Sequence, residues 1–379
     1  CWRNYWRRSE KRAGKVRHLL GISGGKDSAA LAIYLHDCYP SLDIEYYFCD
    51  TGKELKETLE LVKRIEGYLG KEIKRLGAVE NEHFEPFDYF LKSVGNYLPS
   101  VQARWCTQKL KLEPFEDYVK DSPCISYVGI RGDEDREGYI STKPNIQTIF
   151  PFRRNIWSIE ILTSFFQNEN IEQIAGLYDL HAPREIVEKA LEIVRTPKTM
   201  RYTVSKKMKA LHQLSVRVFN RVVFEFLKGT DKPVAILEDF PLLDNEDNLV
   251  RDDIFALLEN SGVGVPEYYK KIPFTVDGLT GEYARSRSGC YFCFFQQRIE
   301  WIWLYEQHPD LFKKAAEYEK DGYTWIQGER LEDLIRPERI RQIKLDAIRR
   351  NEQRANKRSP YLVDLLEDAE GNVCANCFI

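Results

Sequence analysis

The sequence predicts an α/β protein: a doubly wound, mainly parallel sheet with a helical insertion and a helical C-terminal region. Three observations predict it. The apolar run Leu19-Leu20-Gly21-Ile22 leads through a glycine turn into a helix-forming stretch at 29–35. A second run at 43–49 ends at Asp50-Thr51-Gly52, and helical periodicity follows over 54–69. A third run, Cys124-Ile125-Ser126-Tyr127-Val128-Gly129-Ile130, ends at the charged stretch Arg131-Gly132-Asp133-Glu134. Strands that alternate with helices form parallel sheets, and the ligands of such sheets sit beyond the carboxyl ends of the strands. The candidate binding loops are therefore 23–28, 50–53 and 131–136.

The first loop carries the most chemistry. Ser23-Gly24-Gly25-Lys26-Asp27-Ser28 joins the first strand to its helix. Two glycines let the backbone fold tightly and turn its N–H groups inward. The helix N-terminus adds positive potential, Lys26 a cation, and Ser23 and Ser28 hydroxyls, so the segment reads as a phosphate cradle. It is not the common nucleotide P-loop, which needs a glycine five residues before the second glycine and Ser or Thr after the lysine. Here position 20 is Leu, and Asp27 follows Lys26. The hexapeptide resembles the SGGKDS signature of the PP-loop ATP pyrophosphatases, a family that includes phosphosulfate reductases, tRNA thiolases and DNA phosphorothioation enzymes.

Two further segments fit a nucleotide site. Asp50-Thr51-Gly52 ends the second strand, where a carboxylate can accept from a ribose hydroxyl or bind Mg²⁺; the same tripeptide is also good turn chemistry. The stretch from Gly129 to Arg136 resembles the G-x-R-x-x-E/D-x-x-R segment of phosphosulfate-reductase-like proteins, and its arginines suit forked bonds to phosphate or sulfate. A solvated charged loop is the plainer reading of it. The resemblance makes Lys26, Asp27, Arg131 and Arg136 the candidate catalytic residues. It makes Ser23, Gly24, Gly25, Lys26, Asp27, Ser28, Asp50 and Gly52 the candidate ATP contacts.

The chain has 379 residues, 43% of them hydrophobic, and a net charge of −3. Its expected organisation is a basic N-terminal segment (1–17), a nucleotide-binding core (18–152), a basic helical insertion (153–239), a second part of the core with a C-x₂-C pair (240–305), and a helical C-terminal region ending in another C-x₂-C pair (306–379). No run of about eighteen apolar residues occurs, so no membrane span is expected, and the composition reads as cytoplasmic. Nine cysteines in such a chain point to metal or redox use rather than to disulfides.

The cysteines fall into groups. Cys290-Tyr291-Phe292-Cys293 follows Arg285-Ser286-Arg287-Ser288-Gly289, and Cys374-Ala375-Asn376-Cys377 lies near the C-terminus. A lone cysteine stands in Trp105-Cys106-Thr107-Gln108-Lys109-Leu110-Lys111-Leu112-Glu113-Pro114-Phe115. That segment resembles the cysteine-bearing stretch of iron–sulfur adenylylsulfate reductases, in which adjacent cysteines and a later C-x₂-C pair hold a [4Fe–4S] cluster. Position 105 here is Trp. The resemblance implies three thiolates, Cys106, Cys290 and Cys293, on such a cluster, with Cys374 and Cys377 as further donors or as a sulfur-relay pair. Thiolates are the soft anionic donors that iron–sulfur clusters take. A closed zinc site of Cys290, Cys293, Cys374 and Cys377 is the alternative. Cys38, Cys49 and Cys124 lie in apolar elements and are expected in the core.

Residues 181–230 hold eleven Lys and Arg against four Asp and Glu, with Tyr202, His212, Phe219, Phe224 and Phe226 interleaved. A patch this basic on a mildly acidic protein points to a polyanion partner, with Arg201, Lys206, Lys207 and Lys209 as candidate contacts. The competing reading is a solvated helix pair whose aromatics face the core.

Within the family, the helical insertion and the missing Glu-Cys-Gly-x-His tail of the reductases resemble the DNA phosphorothioation sulfurtransferases (DndC/SspD type). That resemblance implies an ATP pyrophosphatase that adenylates a nucleic-acid backbone oxygen for replacement by sulfur. It implies ATP, Mg²⁺ and a [4Fe–4S] cluster as cofactors. Its implied partners are DNA, a cysteine desulfurase as sulfur donor and other subunits of a modification complex. The alternatives are a phosphosulfate reductase, a tRNA thiolase and a non-catalytic nucleotide-binding scaffold.

Overall fold

The structure, a computed structural model, describes residues 15–77, 85–134, 136, 141, 143–320 and 322–356. Five strands form the main sheet: β1 (Arg17–Gly21), β2 (Ile44–Asp50), β3 (Ile73–Gly77), β4 (Cys124–Tyr127) and β5 (Ile146–Ile149). All neighbours are parallel, in the order β3-β2-β1-β4-β5. The fold class is the α/β class expected, with helices on both faces of the sheet.

The central strands carry adjacent apolar residues, such as Leu19-Leu20 and Tyr46-Tyr47-Phe48, because both faces are covered, whereas the edge strand β3 leaves Lys74 and Arg75 exposed. Successive side chains alternate between two cores. Leu20, Tyr46, Phe48 and Ile125 face one core with α1 (Lys26–Cys38) and α2 (Lys56–Leu69). Leu19, Tyr47, Cys49 and Cys124 face the other with Leu112, Phe115 and Val119. After α3 (Pro86–Ser93), those last three residues belong to α4, which starts at Trp105–Thr107, widens to a π-helical turn over Gln108–Leu112 and returns to α geometry over Glu113–Val119. The wide turn has a local cause. Pro114 has no N–H and its ring would clash with the carbonyl of Leu110 in a regular helix, and the Glu113 N–H instead reaches the Gln108 carbonyl.

The region after β5 is helical: α5 (Ile159–Phe165), α6 (Ile171–His181), α7 (Arg184–Arg195), α8 (Val204–Leu214) and α9 (Val216–Leu227). These helices share the core of the α1 face, through Phe165, Tyr178, Val194, Phe219 and Val222. α10 (Arg251–Asn260) packs there too, through Ile254 and Leu258. The strands β6 (Ile272–Val276) and β7 (Leu279–Tyr283) pair with each other in an antiparallel ribbon separate from the main sheet. The last helices are α11 (Arg298–Gln307), α12 (Pro309–Ala316), α13 (Leu331–Leu334) and α14 (Pro337–Asn356).

Cys49 and Cys124 are buried as expected, and burial pushes both thiols up to about 12. Cys38 is a correction: it ends α1 on the outer side of the helix and is exposed.

Trp157 is fully buried where the chain leaves β5 and bridges back to Ile149. Trp157→Ala should lower unfolding free energy by about 3–5 kcal/mol, read from urea denaturation.

Candidate functional site

The strand order reverses between β1 and β4, since β2 and β3 lie on one side of β1 and β5 lies beyond β4. The loops after these two strands therefore open at a switch point, the usual ligand crevice of such a sheet. They touch. A Cβ on Gly129 would lie 2.9 Å from the Asp27 carbonyl oxygen, so only glycine allows this approach.

The glycine loop itself is held tightly. Gly24 has φ +70°, and a Cβ there would meet Thr58 Cγ2 at 2.2 Å. Gly25 precedes α1, and a Cβ there would meet Ser288 Oγ at 2.5 Å. The Ser28 hydroxyl donates to the Gly25 carbonyl at 3.2 Å and accepts from the Ser23 N–H at 3.1 Å. Ser23 Oγ lies 3.0 Å from Ser28 Oγ and 3.4 Å from the Gly25 nitrogen that donates to it. Tyr268 donates from its hydroxyl to the Gly24 carbonyl at 3.0 Å.

Asp27 organises the charges. Its buried carboxylate accepts from Lys26 Nζ at 2.9 Å and from Arg131 Nη1 at 2.8 Å. Burial pushes this carboxyl up, but the charges and hydrogen bonds of Lys26 and Arg131 outweigh it, and it stands below the usual carboxylate range. Arg131 also reaches Asp133 at 2.9 Å and Glu134 at 3.0 Å. Burial opposes its charge, yet Asp27, Glu134 and Asp133 hold the guanidinium firmly protonated. Arg136 pairs with Glu134 at 2.8 Å. Three of the candidate catalytic residues, Lys26, Asp27 and Arg131, thus form one buried cluster, and Arg136 joins it through Glu134.

Asp50 shapes the turn after β2. Its Oδ1 accepts from the Gly52 N–H at 2.9 Å and its Oδ2 from Arg75 at 3.0 Å, and Gly52 has φ +75°.

Cys106, Cys290 and Cys293 line one cavity, together with Thr51, Phe87, Lys111, Ser288 and Phe295 among others. Cys106 opens α4 just before the π-helical turn, and Lys111 sits in that turn. Cys290 bridges backbone to Glu54, and its sulfur lies 3.2 Å from Thr51 Oγ1, which donates to Glu54 at 2.6 Å. Burial pushes the Cys290 thiol and the Glu54 carboxyl above their usual ranges. Among the described residues, no group of three or more His, Cys, Asp or Glu stands in metal-ligating arrangement. The three thiols share a cavity but are not drawn together as ligands. Cys374 and Cys377 lie outside the described residues, as do residues 1–14 of the basic N-terminal segment.

The basic region divides. Arg201, Lys206 and Lys209 are exposed. Lys207 is a correction: it is buried, and its ammonium donates to the Val194 and Thr196 carbonyls at 2.9 and 2.8 Å, closing the C-terminus of α7. It is not available to a polyanion. The interleaved Phe219, Phe224 and Phe226 are buried in the core, so they do not offer stacking faces. Arg217, Arg221 and Lys228 pair with Glu246, Asp239 and Glu225.

Sequence reading missed Thr51, Glu54, Lys111, Tyr268, Arg285 and Ser288. Arg285 and Ser288 were adjacent to the C-x₂-C pair, which was a usable signal. Tyr268 had none, because its hydroxyl meets a loop 244 residues earlier.

The geometry defines a class first: an α/β nucleotide-binding fold with a glycine-loop anion cradle at the switch point. Comparison with known proteins narrows it. Residues 17–180 match the phosphoadenosine phosphosulfate reductase domain family, which supports that superfamily of nucleotide-utilising enzymes for this part of the chain. Two curated proteins of Methanocaldococcus jannaschii are similar. The uncharacterized protein MJ0066 is 33% identical over 146 residues, covering 35% of this chain and 28% of that protein. The uncharacterized protein MJ0973 is 29% identical over 160 residues, covering 39% of this chain and 36% of that protein. The chain thus spans roughly a third of the length of the curated relatives it matches. No solved structure matches it. No helix among the described residues is long and apolar enough to cross a membrane.

Removing the Asp27 charge takes the carboxylate partner from buried Lys26 and one of three carboxylates from Arg131, so Asp27→Asn should lower stability at neutral pH by about 3–5 kcal/mol. The depressed carboxyl contributes stability that is complete above its unfolded value of about 3.9 and is lost as pH falls through the folded value. Urea denaturation at descending pH should therefore show wild type and Asp27→Asn converging in acid.

Proposed function

We propose that the chain is an ATP pyrophosphatase acting in sulfur transfer onto a nucleic-acid backbone, as in DNA phosphorothioate modification. One observation carries the reading: Ser288 packs against Gly25 of the anion cradle and also lines the cavity of Cys106, Cys290 and Cys293. A phosphate-binding loop and three thiols then belong to one site, which is what coupling ATP cleavage to sulfur chemistry requires.

In this proposal residues 23–28 hold the ATP phosphates, with Mg²⁺ neutralising them. A nonbridging oxygen of a backbone phosphate attacks the α-phosphorus, and the α–β bond breaks as pyrophosphate leaves. The acceptor oxygen then carries AMP, and a sulfur nucleophile displaces it. The protein contributes positioning and charge stabilisation. Lys26 and Arg131, held by Asp27, supply the fixed positive charge beside the loop, and Arg136 extends it. A [4Fe–4S] cluster, held by Cys106, Cys290 and Cys293, would supply a binding place for sulfide. A zinc site built on Cys290 and Cys293 is the competing proposal. A cysteine desulfurase and further subunits of a modification complex are the proposed partners, and Arg201, Lys206 and Lys209 are the cations proposed to meet DNA. The domain match favours a second reading, reduction of adenylylsulfate or its 3′-phosphate to sulfite.

Pyrophosphate release from ATP, measured anaerobically with DNA, tRNA or sulfate added separately, separates these. DNA should stimulate release, and Lys26→Ala should abolish it while the fold survives. Release retained in Lys26→Ala would overturn the assignment, and sulfite formation would favour the reductase.

Protein purified without oxygen should be brown, and Cys290→Ser should bleach the visible absorbance. A colourless wild type with bound zinc would contradict the cluster.

A further inference from the structure

The segment Arg285-Ser286-Arg287-Ser288 lies between the glycine loop and the thiol cavity. Ser288 meets both, as described. Arg285 is 2% exposed. Its Nη2 donates to the Cys290 carbonyl at 3.1 Å, and its guanidinium lies over the rings of Tyr268 and Trp303, at 6.0 and 5.9 Å from their centroids. Tyr268 is the residue whose hydroxyl holds Gly24. Arg287 lies over the ring of Phe295, 5.5 Å from its centroid, and Phe295 lines the thiol cavity.

Four buried polar atoms in this short strip have no hydrogen-bond partner: Arg285 Nε and Nη1, Ser286 Oγ and Arg287 Nη1. Among the described residues no carboxylate pairs with either arginine. The nearby acid is occupied, since Glu300 accepts from the Ser286 N–H at 2.6 Å and from the Gln297 N–H at 2.7 Å. Buried polar groups are satisfied in stable proteins, and buried charges are paired. The buried Arg285, hydrogen-bonded at Nη2 alone, the half-buried Arg287 and the Ser286 hydroxyl thus hold donors without acceptors, which suit a ligand with several oxygens and negative charge. Forked guanidinium donors match a tetrahedral oxyanion.

We infer that Arg285, Ser286 and Arg287 form a second oxyanion site, distinct from the glycine loop, that holds the phosphodiester or sulfate group of the acceptor against bound ATP. The inference rests on the reading of 23–28 as the ATP loop. It separates two anions that the cations at Lys26 and Arg131 cannot both serve, because Asp27 already neutralises part of their charge. Ser288 then marks the boundary between the two anions, and the acceptor sits on the side of the thiols.

The test uses the full chain with magnesium and a non-hydrolysable ATP analogue. Two probes are titrated separately, a short single-stranded DNA oligonucleotide and inorganic sulfate, against wild type, Arg287→Gln and Arg285→Lys. Thermal denaturation monitors the fold, since Arg285 also stacks on two rings. Loss of a charged hydrogen-bonding group should weaken the bound probe by about tenfold or more in Arg287→Gln, with nucleotide affinity and thermal midpoint unchanged. Weakening of the oligonucleotide identifies a phosphodiester acceptor, and weakening of sulfate identifies a free sulfate. Unchanged affinity for both probes, or a wild type that binds neither, overturns the second site. A parallel loss of nucleotide affinity also overturns it, because the strip would then belong to the ATP site. A wild type that fails to bind the nucleotide while the probe effect persists overturns the ATP reading of the loop instead.

Discussion

The carboxylate of Asp27 is the constraint on which the rest of the site depends. It stands at the first turn of α1 and reaches a guanidinium that leaves β4, so it ties together the two strands between which the sheet changes direction. A buried carboxylate alone would be strongly unfavourable, and so would two buried cations. Together they fix the distance between two loops. The close passage of Gly129 over the Asp27 backbone belongs to the same arrangement: a side chain at 129 would force apart the loops that the ion pairs draw together.

The central strands were readable from sequence because burial on both faces places apolar residues side by side. Leu19 and Leu20, or Tyr47 and Phe48, are adjacent residues serving opposite cores. β5 was less visible, since Ile146–Ile149 is only four residues long and contains Gln147 and Thr148. The glycine loop was legible because its requirements are local. The pairing of Asp27 with Arg131 was not, because 104 residues separate them. Nor was the meeting of Cys106 with the C-x₂-C pair deducible from spacing; it came from resemblance, and the structure lines one cavity with all three.

The basic region shows a different limit. Lys206 and Lys207 are neighbours in sequence and identical in type, yet one faces water and the other closes a helix end. Adjacent residues on a helix point about 100° apart, so a run of lysines around a helix always places some of them inward. Counting charges along the chain measures composition, whereas the surface that meets a polyanion depends on helix phase. The phenylalanines obey the same rule, and their burial removes the stacking half of the sequence argument while leaving Arg201, Lys206 and Lys209 in place.

The π-helical turn at Gln108–Leu112 sets a relation that is one of counting. The turn holds one residue more than a regular helix would use over the same rise. Cys106 stands before it, and Phe115 and Val119, which anchor the helix to the sheet, stand after it. The extra residue therefore acts as a phase shifter: it turns the cysteine-bearing end about 100° relative to the anchored end. The direction in which Cys106 points is set by the length of the chain between it and Pro114 as much as by the residues that surround it.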